Sequence, residues 1–237
     1  MDDAQIGARM SRGLSSPARL GNMAATSEDE ATHPMSSGLK YALDVLIASI
    51  ALIGFAPLLV MVAIILLVLQ GRPIFIAHRR IGQNGVMFPC LKFRSMVNNG
   101  DEVLARHLAE NAQARLEWNT TRKLRDDPRI TPFGAWLRRS SVDEIPQLFN
   151  VLRGQMSLVG PRPIVRSEAE LFGHYFNHYI RVRPGLTGLW QISGRSSLAF
   201  SARVELDVRY VEQRSLWGDI VIIAKTVPAV LKARGSY

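Results

Sequence analysis

Hydrophobic positions run almost unbroken from Tyr41 to Leu69, YALDVLIASIALIGFAPLLVMVAIILLVL, and Asp44 carries the only formal charge in these 29 residues. A helix in water alternates an apolar stripe with polar positions, so a run this uniform predicts a helix that meets lipid. Straight, it would measure roughly 43 Å at 1.5 Å per residue, longer than the ~30 Å hydrocarbon layer. Pro57 stands near its middle, where proline removes one backbone donor and crowds the carbonyl four residues back. Gly54-Phe55-Ala56-Pro57 is therefore the expected bend, with a leg of about four turns on each side. Lys40 precedes the run and Arg72, Arg79 and Arg80 follow it. Cations at both ends place both ends on the cytoplasmic side by the positive-inside rule. The expectation is a re-entrant membrane helix over residues 37–72, broken at Pro57; a tilted single span is the alternative.

Beyond the run, Ile74–His78 and Val86–Phe93 are β-prone and flank Gln83-Asn84-Gly85. Asn-Gly tolerates positive φ at both residues, which predicts a hairpin. Alternation along its second strand puts Lys92 and Arg94 on one face and Phe93 on the other. Leu104, Leu108, Ala112 and Leu116 recur at helical spacing over residues 101–118, with Asp101 able to cap the start. Leu216, Ile220, Ile223, Val227 and Leu231 form a stripe with Trp217 beside it and Lys225 opposite, which suits a helix lying in the membrane interface as well as ordinary packing. Residues 1–36 have neither period and are rich in Ser, Ala, Gly and Met, so they read as a disordered tail; no apolar stretch before Leu39 makes them a signal peptide. The fold class expected is α+β: a mainly helical, membrane-associated domain with a small β-hairpin and interfacial amphipathic helices.

Composition narrows the chemistry. Of 237 residues, 29 are Lys or Arg and 20 Asp or Glu, a net charge of +9, which suits nucleic acid, an anionic membrane or a phosphate-bearing substrate. A single cysteine, Cys90, excludes intramolecular disulfides and thiolate zinc sites. The basic surplus concentrates in residues 122–166, RKLRDDPRITPFGAWLRRSSVDEIPQLFNVLRGQMSLVGPRPIVR, where carboxylates are interleaved with cations. The plain reading of Asp143 and Glu144 is that Ser140 or Ser141 caps a helix and the two acids occupy its first turn. Ile145, Leu148, Phe149 and Leu152 already supply that helix with a buried face, and adjacent acids on a helix point about 100° apart. They can therefore do two jobs: one binds a divalent cation, for which carboxylate oxygen suits Mg²⁺, and the other attacks phosphorus. Lys92, Arg94, Arg138, Arg139 and Arg162 are the cations available to screen a diphosphate, and Pro161 and Pro163 stiffen the backbone on either side of Arg162.

Lys92-Phe-Arg-Ser-Met, Asp127-Pro-Arg-Ile-Thr-Pro-Phe-Gly, the block from Ser141 through Asp143-Glu144 to Pro161-Arg162-Pro163, and Arg183-Pro-Gly-Leu-Thr-Gly-Leu-Trp-Gln-Ile-Ser-Gly-Arg resemble the bacterial sugar transferase family, the monotopic polyprenyl-phosphate phosphoglycosyl transferases. The resemblance covers about residues 38–237 and is most similar in form to the short galactose-phosphate transferases that initiate exopolysaccharide assembly. It implies a membrane helix broken at a proline, matching Pro57, and an Asp-Glu dyad, matching Asp143 and Glu144. In the family the aspartate attacks the sugar-linked phosphate of a UDP-sugar, UMP leaves, and polyprenyl phosphate takes the phosphosugar from the enzyme, while the glutamate holds Mg²⁺. Ala56 departs from the serine common before the breaking proline, and Ala cannot bond back to a freed carbonyl.

On that resemblance, residues 73–237 form a catalytic domain on the cytoplasmic face of the bacterial inner membrane. It would join hexose 1-phosphate, galactose 1-phosphate first, from a UDP-sugar to undecaprenyl phosphate through a phosphosugar-aspartate intermediate. Glucose or an N-acetylated amino sugar are the alternatives. Expected partners are the UDP-sugar and undecaprenyl phosphate, with no nucleic acid; a homo-oligomer stays open. Glu205 and Asp207 offer a further carboxylate near the site by analogy, with surface charge as the plainer reading. His174 and His178 stand four apart without a glutamate between them and read as a surface pair. The rival of a different class is a non-catalytic basic membrane scaffold.

Overall fold

The computed structural model describes residues 37–121, 123–194 and 198–231; the tail expected over residues 1–36 and the side chains of Ser37, Thr121, Val230 and Leu231 lie outside the described set. Helix α1, Ser37–Gln70, is 34 residues long and helical through Pro57, where the sequence predicted a break. Proline forfeits one intrahelical bond, and the turns on either side keep theirs.

The two legs of α1 pack on different parts of the same domain. Asp44 and Ala48 are buried, and Ala51 and Leu52 pack on one core that includes Cys90, Leu148, Val151, Met156 and Val159. Leu58, Leu59, Val62, Ala63 and Leu66 pack on a second core around Phe93, Leu137 and Val142. Between the legs, residues 53–57 are all exposed. Ile50, Ile53, Val60, Ile64 and Val68 also face outward, each more than half exposed. Apolar side chains in that number, turned away from protein, need another apolar medium.

Strands β1, Phe75–Ile81, and β2, Met87–Phe93, form an antiparallel hairpin with Phe75 opposite Phe93 and Ile81 opposite Met87. Asn84 (φ 56°) and Gly85 (φ 75°) turn the chain in the left-handed region, which is what the Asn-Gly pair predicted. The helix predicted over 101–118 is two: α2, Gly100–Glu110, and α3, Ala112–Thr121. Asn111 between them is extended (φ −123°, ψ 104°), and its Oδ1 accepts from Ala114 N at 3.0 Å, so an asparagine side chain competes with the helical backbone and starts a new helix. Asn99, not Asp101, holds the N-cap position of α2, and Leu116 is 62% exposed, so the predicted stripe is not a core face.

Then follow α4, Pro132–Ser140, and α5, Gln147–Leu152, with strand β3, Ser157–Val159, behind them. After α6, Arg166–Phe172, and α7, Phe176–Tyr179, strand β4, Gly185–Thr187, pairs parallel with β3. That pairing depends on glycine: a Cβ on Gly185 would stand 2.1 Å from Gly160 N. Helix α8, Leu189–Ser193, precedes α9, Phe200–Gln213, and α10, Leu216–Leu231. The stripe predicted on α10 divides. Asp219 and Ile222 are buried, whereas Trp217, Ile220 and Val227 stay at least half exposed, so the outward face is the apolar, aromatic one suited to a membrane interface.

Candidate active site

Helix α4 sets the site. Thr131 caps it, its Oγ1 accepting from Gly134 N at 2.9 Å, with Pro132 in the first turn. Gly134 lies flat against Ser95 after β2, where an added Cβ would come within 2.0 Å of Ser95 O. The helix ends at Ser141 in the left-handed conformation (φ 58°, ψ 14°), and Val142–Glu144 form a single 3₁₀ turn before Pro146 and α5. The dyad is therefore on a turn between two helices and not in the first turn of a helix capped by Ser140 or Ser141; Ser141 makes no side-chain cap. On a three-residue turn the two acids diverge by about 120°. Asp143 is 7% exposed, whereas the Glu144 side chain is 28% exposed and stands in the wall of a cleft.

That cleft, open to solvent, is walled by Glu144 and by Arg80, Cys90 and Lys92 from the hairpin, with Arg162 and Gln191 opposite. The hairpin register explains its share. Arg80 faces Phe88 and His78 faces Cys90 across the ladder, so these residues and Lys92 share one side of the sheet, while Phe93 fills the second core on the other. Lys92 Nζ meets Glu144 Oε1 at 2.5 Å. The Arg162 guanidinium lies 5.8 Å from the centre of the Trp190 ring, and Arg203 lies 5.2 Å from the same ring, so the aromatic face orients Arg162.

The two carboxyls are driven apart in proton affinity. Burial, aided by the charge of Glu144, pushes Asp143 up to about 6 against the pull of Lys92 and Arg138. Burial also works to raise Glu144, but Lys92, Arg162 and Arg80 outweigh it and hold this carboxyl below its ordinary value. Paired acids with separated affinities are the usual mark of divided catalytic roles.

Of the cations singled out in the sequence, Lys92 and Arg162 share the cleft with Glu144. Arg138 donates through Nε to Ser95 Oγ at 2.8 Å and acts electrostatically on Asp143. Arg94 is 3% exposed and away from the cleft: it donates to Gln70 O at 2.7 Å and Gly71 O at 2.9 Å and also meets Asn98. A cation on the last carbonyls of α1 satisfies groups the helix cannot. Arg139 is exposed on α4 and is not in the cleft wall. Asp207, on α9, is 4% exposed, so it is not surface charge; burial pushes its carboxyl well up, while the backbone and charge of Arg162 pull the other way. Its Oδ1 has no hydrogen-bond partner. His178 faces Glu212 at 3.6 Å.

Arg80 and Gln191 are cleft residues that sequence reasoning had not assigned. For Arg80 a signal existed, its even-numbered place on the strand face that carries His78. For Gln191 the signal was its place after Trp190 in the block from Arg183 that carries the family resemblance. Among the described residues no three His, Cys, Asp or Glu side chains gather as a metal cage. Two oxygen donors nevertheless stand in the cleft wall, the Glu144 carboxylate and the buried Gln191 Oε1, which has no donor. Mg²⁺ commonly takes one or two protein oxygens and completes its shell with water and substrate phosphate, so this donor set fits it.

Comparison with known proteins gives the chain a family. The family model described as bacterial sugar transferase matches residues 35–233. The exopolysaccharide production protein ExoY of Sinorhizobium fredii is 51% identical over 210 residues, covering 89% of this chain and 93% of the relative. The undecaprenyl-phosphate galactose phosphotransferase of Salmonella typhimurium is 50% identical over 168 residues, 71% of this chain and 35% of that longer protein. The UDP-glucose:undecaprenyl-phosphate glucose-1-phosphate transferase of Xanthomonas campestris pv. campestris is 38% identical over 202 residues, 82% of this chain and 39% of the relative.

Proposed function

The chain belongs to the bacterial sugar transferase family, and from that premise we propose that it moves hexose 1-phosphate, galactose 1-phosphate first, from a UDP-sugar to undecaprenyl phosphate and releases UMP. The observation that carries this reading is the pairing of a buried Asp143, its proton affinity raised to about 6, with a Glu144 held below its ordinary value beside a cleft whose walls hold Arg80, Lys92 and Arg162. Relatives named for galactose stand at 42–50% identity and those named for glucose at 37–38%, which favours galactose.

In this reading a diphosphate enters the cleft and competes with Glu144 for Lys92, and that exchange uncovers Asp143. A carboxylate oxygen of Asp143 bonds to the sugar-linked phosphorus as the bond from that phosphorus to the bridging oxygen of the diphosphate breaks. UMP leaves with the bond's electron pair. The phosphate oxygen of undecaprenyl phosphate then attacks the same phosphorus and returns Asp143 to its free form. Arg162, held on Trp190 and between two prolines, grips phosphate oxygens throughout, and Arg80 adds charge from the hairpin. Glu144 and Gln191 would hold Mg²⁺, whose charge offsets that of the phosphates when it is bound.

The test is UMP release from UDP-galactose with undecaprenyl phosphate and Mg²⁺, against UDP-glucose, UDP-N-acetylglucosamine and a chelator control. Asp143 must be ionised to attack. With its proton held up to about 6, kcat/KM should be level above neutrality and fall about tenfold per pH unit below about 6. A flat profile from pH 5 to pH 8, or equal turnover with chelator, contradicts the assignment.

The membrane arrangement we infer is a re-entrant dip from the cytoplasmic face of the inner membrane. Lys40 at one end of α1 meets Asp219 at 2.6 Å, and Gln70 at the other donates to Thr131 Oγ1 at 3.0 Å. Both ends are thus tied to one domain, while residues 53–57, all exposed midway between them, are the part free to enter lipid. In a Cys90→Ser background, Gly38→Cys and Arg72→Cys should both react with an impermeant maleimide only from the cytoplasmic side. Reaction of Gly38→Cys from the periplasm would make α1 a span.

A further inference from the structure

A second cleft lies where the first turn of α1 meets β3 and the end of α9, and it shares no lining residue with the candidate active site. Its walls include Lys40, Ser157, Arg181, Arg183, Tyr210 and Arg214. Four cations face it, and two carboxylates answer them. Asp44 lies 3.6 Å from Lys40 and 3.7 Å from Arg183, and Asp219 lies 2.6 Å from Lys40. Arg181 and Arg214 form no ion pair among the described residues, and Arg214 Nε is buried without an acceptor. A buried guanidinium N–H with nothing to bond is costly, and a ligand bringing acceptor oxygens and negative charge would relieve it.

The chemistry selects the ligand class. A surplus of two cations, mostly guanidinium forks, matches a tetrahedral anion with several acceptor oxygens better than a single carboxylate. The place suggests where the anion comes from. Arg183 stacks 4.8 Å from the Tyr41 ring, and Tyr41 and Leu39 are exposed at the start of the lipid-facing helix, the level at which headgroup phosphates lie. We propose that this cleft is a phosphate-ester site outside the catalytic centre, which seats the amino-terminal leg of α1 by binding the phosphate of a membrane lipid or of a soluble phosphate ester. The inference stands on this geometry and not on the reaction proposed above.

The full chain in dodecyl maltoside micelles, which carry no phosphate, provides the test, with its unfolding midpoint followed as phosphatidylglycerol is included in the micelle or inorganic phosphate is added to an otherwise phosphate-free buffer. Occupancy well above the dissociation constant should raise the midpoint by roughly 5 °C. At least half of the rise should disappear in Arg181→Gln and in Arg214→Gln. Arg106→Gln, which removes the same charge from exposed α2, should keep it all. A rise with phosphatidylglycerol alone identifies a lipid headgroup, and a rise with inorganic phosphate identifies a soluble ester. The proposal is overturned if neither additive moves the midpoint, if both cleft variants keep the full rise, or if Arg106→Gln loses as much as they do. Arg181 is exposed, so its variant keeps the test alive should Arg214→Gln fail to fold.

Discussion

Asp143→Asn should abolish UMP release, by roughly 10³-fold or more, and with it the hexose-phosphate adduct that the wild-type chain forms with UDP-galactose when no lipid acceptor is supplied. Intact-protein mass spectrometry reads the adduct, and nucleotide analysis reads the UMP. The same substitution should make the fold more stable. The Asp143 carboxyl keeps its proton up to about 6 when folded, against about 3.9 in an unfolded chain, so the folded state binds that proton more tightly. Stability therefore declines as pH rises between those two values, and at neutral pH the buried charge costs about 2–3 kcal/mol at a residue only 7% exposed. Asparagine has the shape without the charge, so the unfolding midpoint should rise at pH 7.5 and change little at pH 4. A scaffold whose dyad served only as helix capping would lose no turnover on this substitution. Retained UMP release in a folded Asp143→Asn chain would remove the aspartate from the chemistry.

That pairing of lost activity with gained stability marks which parts of the molecule local sequence could reveal. The lipid-facing run and the hairpin were legible because their signals are local: an uninterrupted apolar stretch, and Asn84-Gly85 with both residues at positive φ. Lys92 and Glu144 were legible as chemistry but not as neighbours; the hairpin register and the left-handed turn at Ser141 bring them to 2.5 Å across 52 positions. Arg94 shows where pattern reasoning fails. Alternation put it on the Lys92 face, but the strand ends at Phe93, and the guanidinium instead meets the unsatisfied carbonyls at the end of α1, more than 20 residues earlier. Asn111 fails for the opposite reason, since one side chain outweighed an apolar period that tertiary packing never used.

Asp44, conspicuous in the sequence only as the lone charge in an apolar run, should prove the most sensitive position for stability. It is 4% exposed; Ser157 Oγ donates to its Oδ2 at 2.8 Å and Leu158 N to its Oδ1 at 3.2 Å, with Lys40 and Arg183 close by. Asp44→Ala would leave the Leu158 N–H and the part-buried Arg183 without the carboxylate that faces them, and would take one of two partners from Ser157 Oγ, which keeps Val159 O, and from Lys40, which keeps Asp219. Removing one partner from such a buried set costs about 3–5 kcal/mol, which in a chain of this size lowers the unfolding midpoint by roughly 10 °C. Asp44→Leu separates the two explanations of this residue. If Asp44 is a tolerated flaw in a lipid-facing helix, leucine improves the helix and the midpoint holds or rises. If it bolts the first leg of α1 to β3, leucine is as damaging as alanine. In the re-entrant arrangement proposed above, the bolt should also control topology. An α1 made uniformly apolar and released from β3 keeps Lys40 beside Asp219 by their single ion pair, and the helix is long enough to cross the membrane. Gly38→Cys should then gain reactivity from the periplasm in the Asp44→Leu background and not in the parent, which would identify a single buried carboxylate as the group that keeps both ends of the helix on one side.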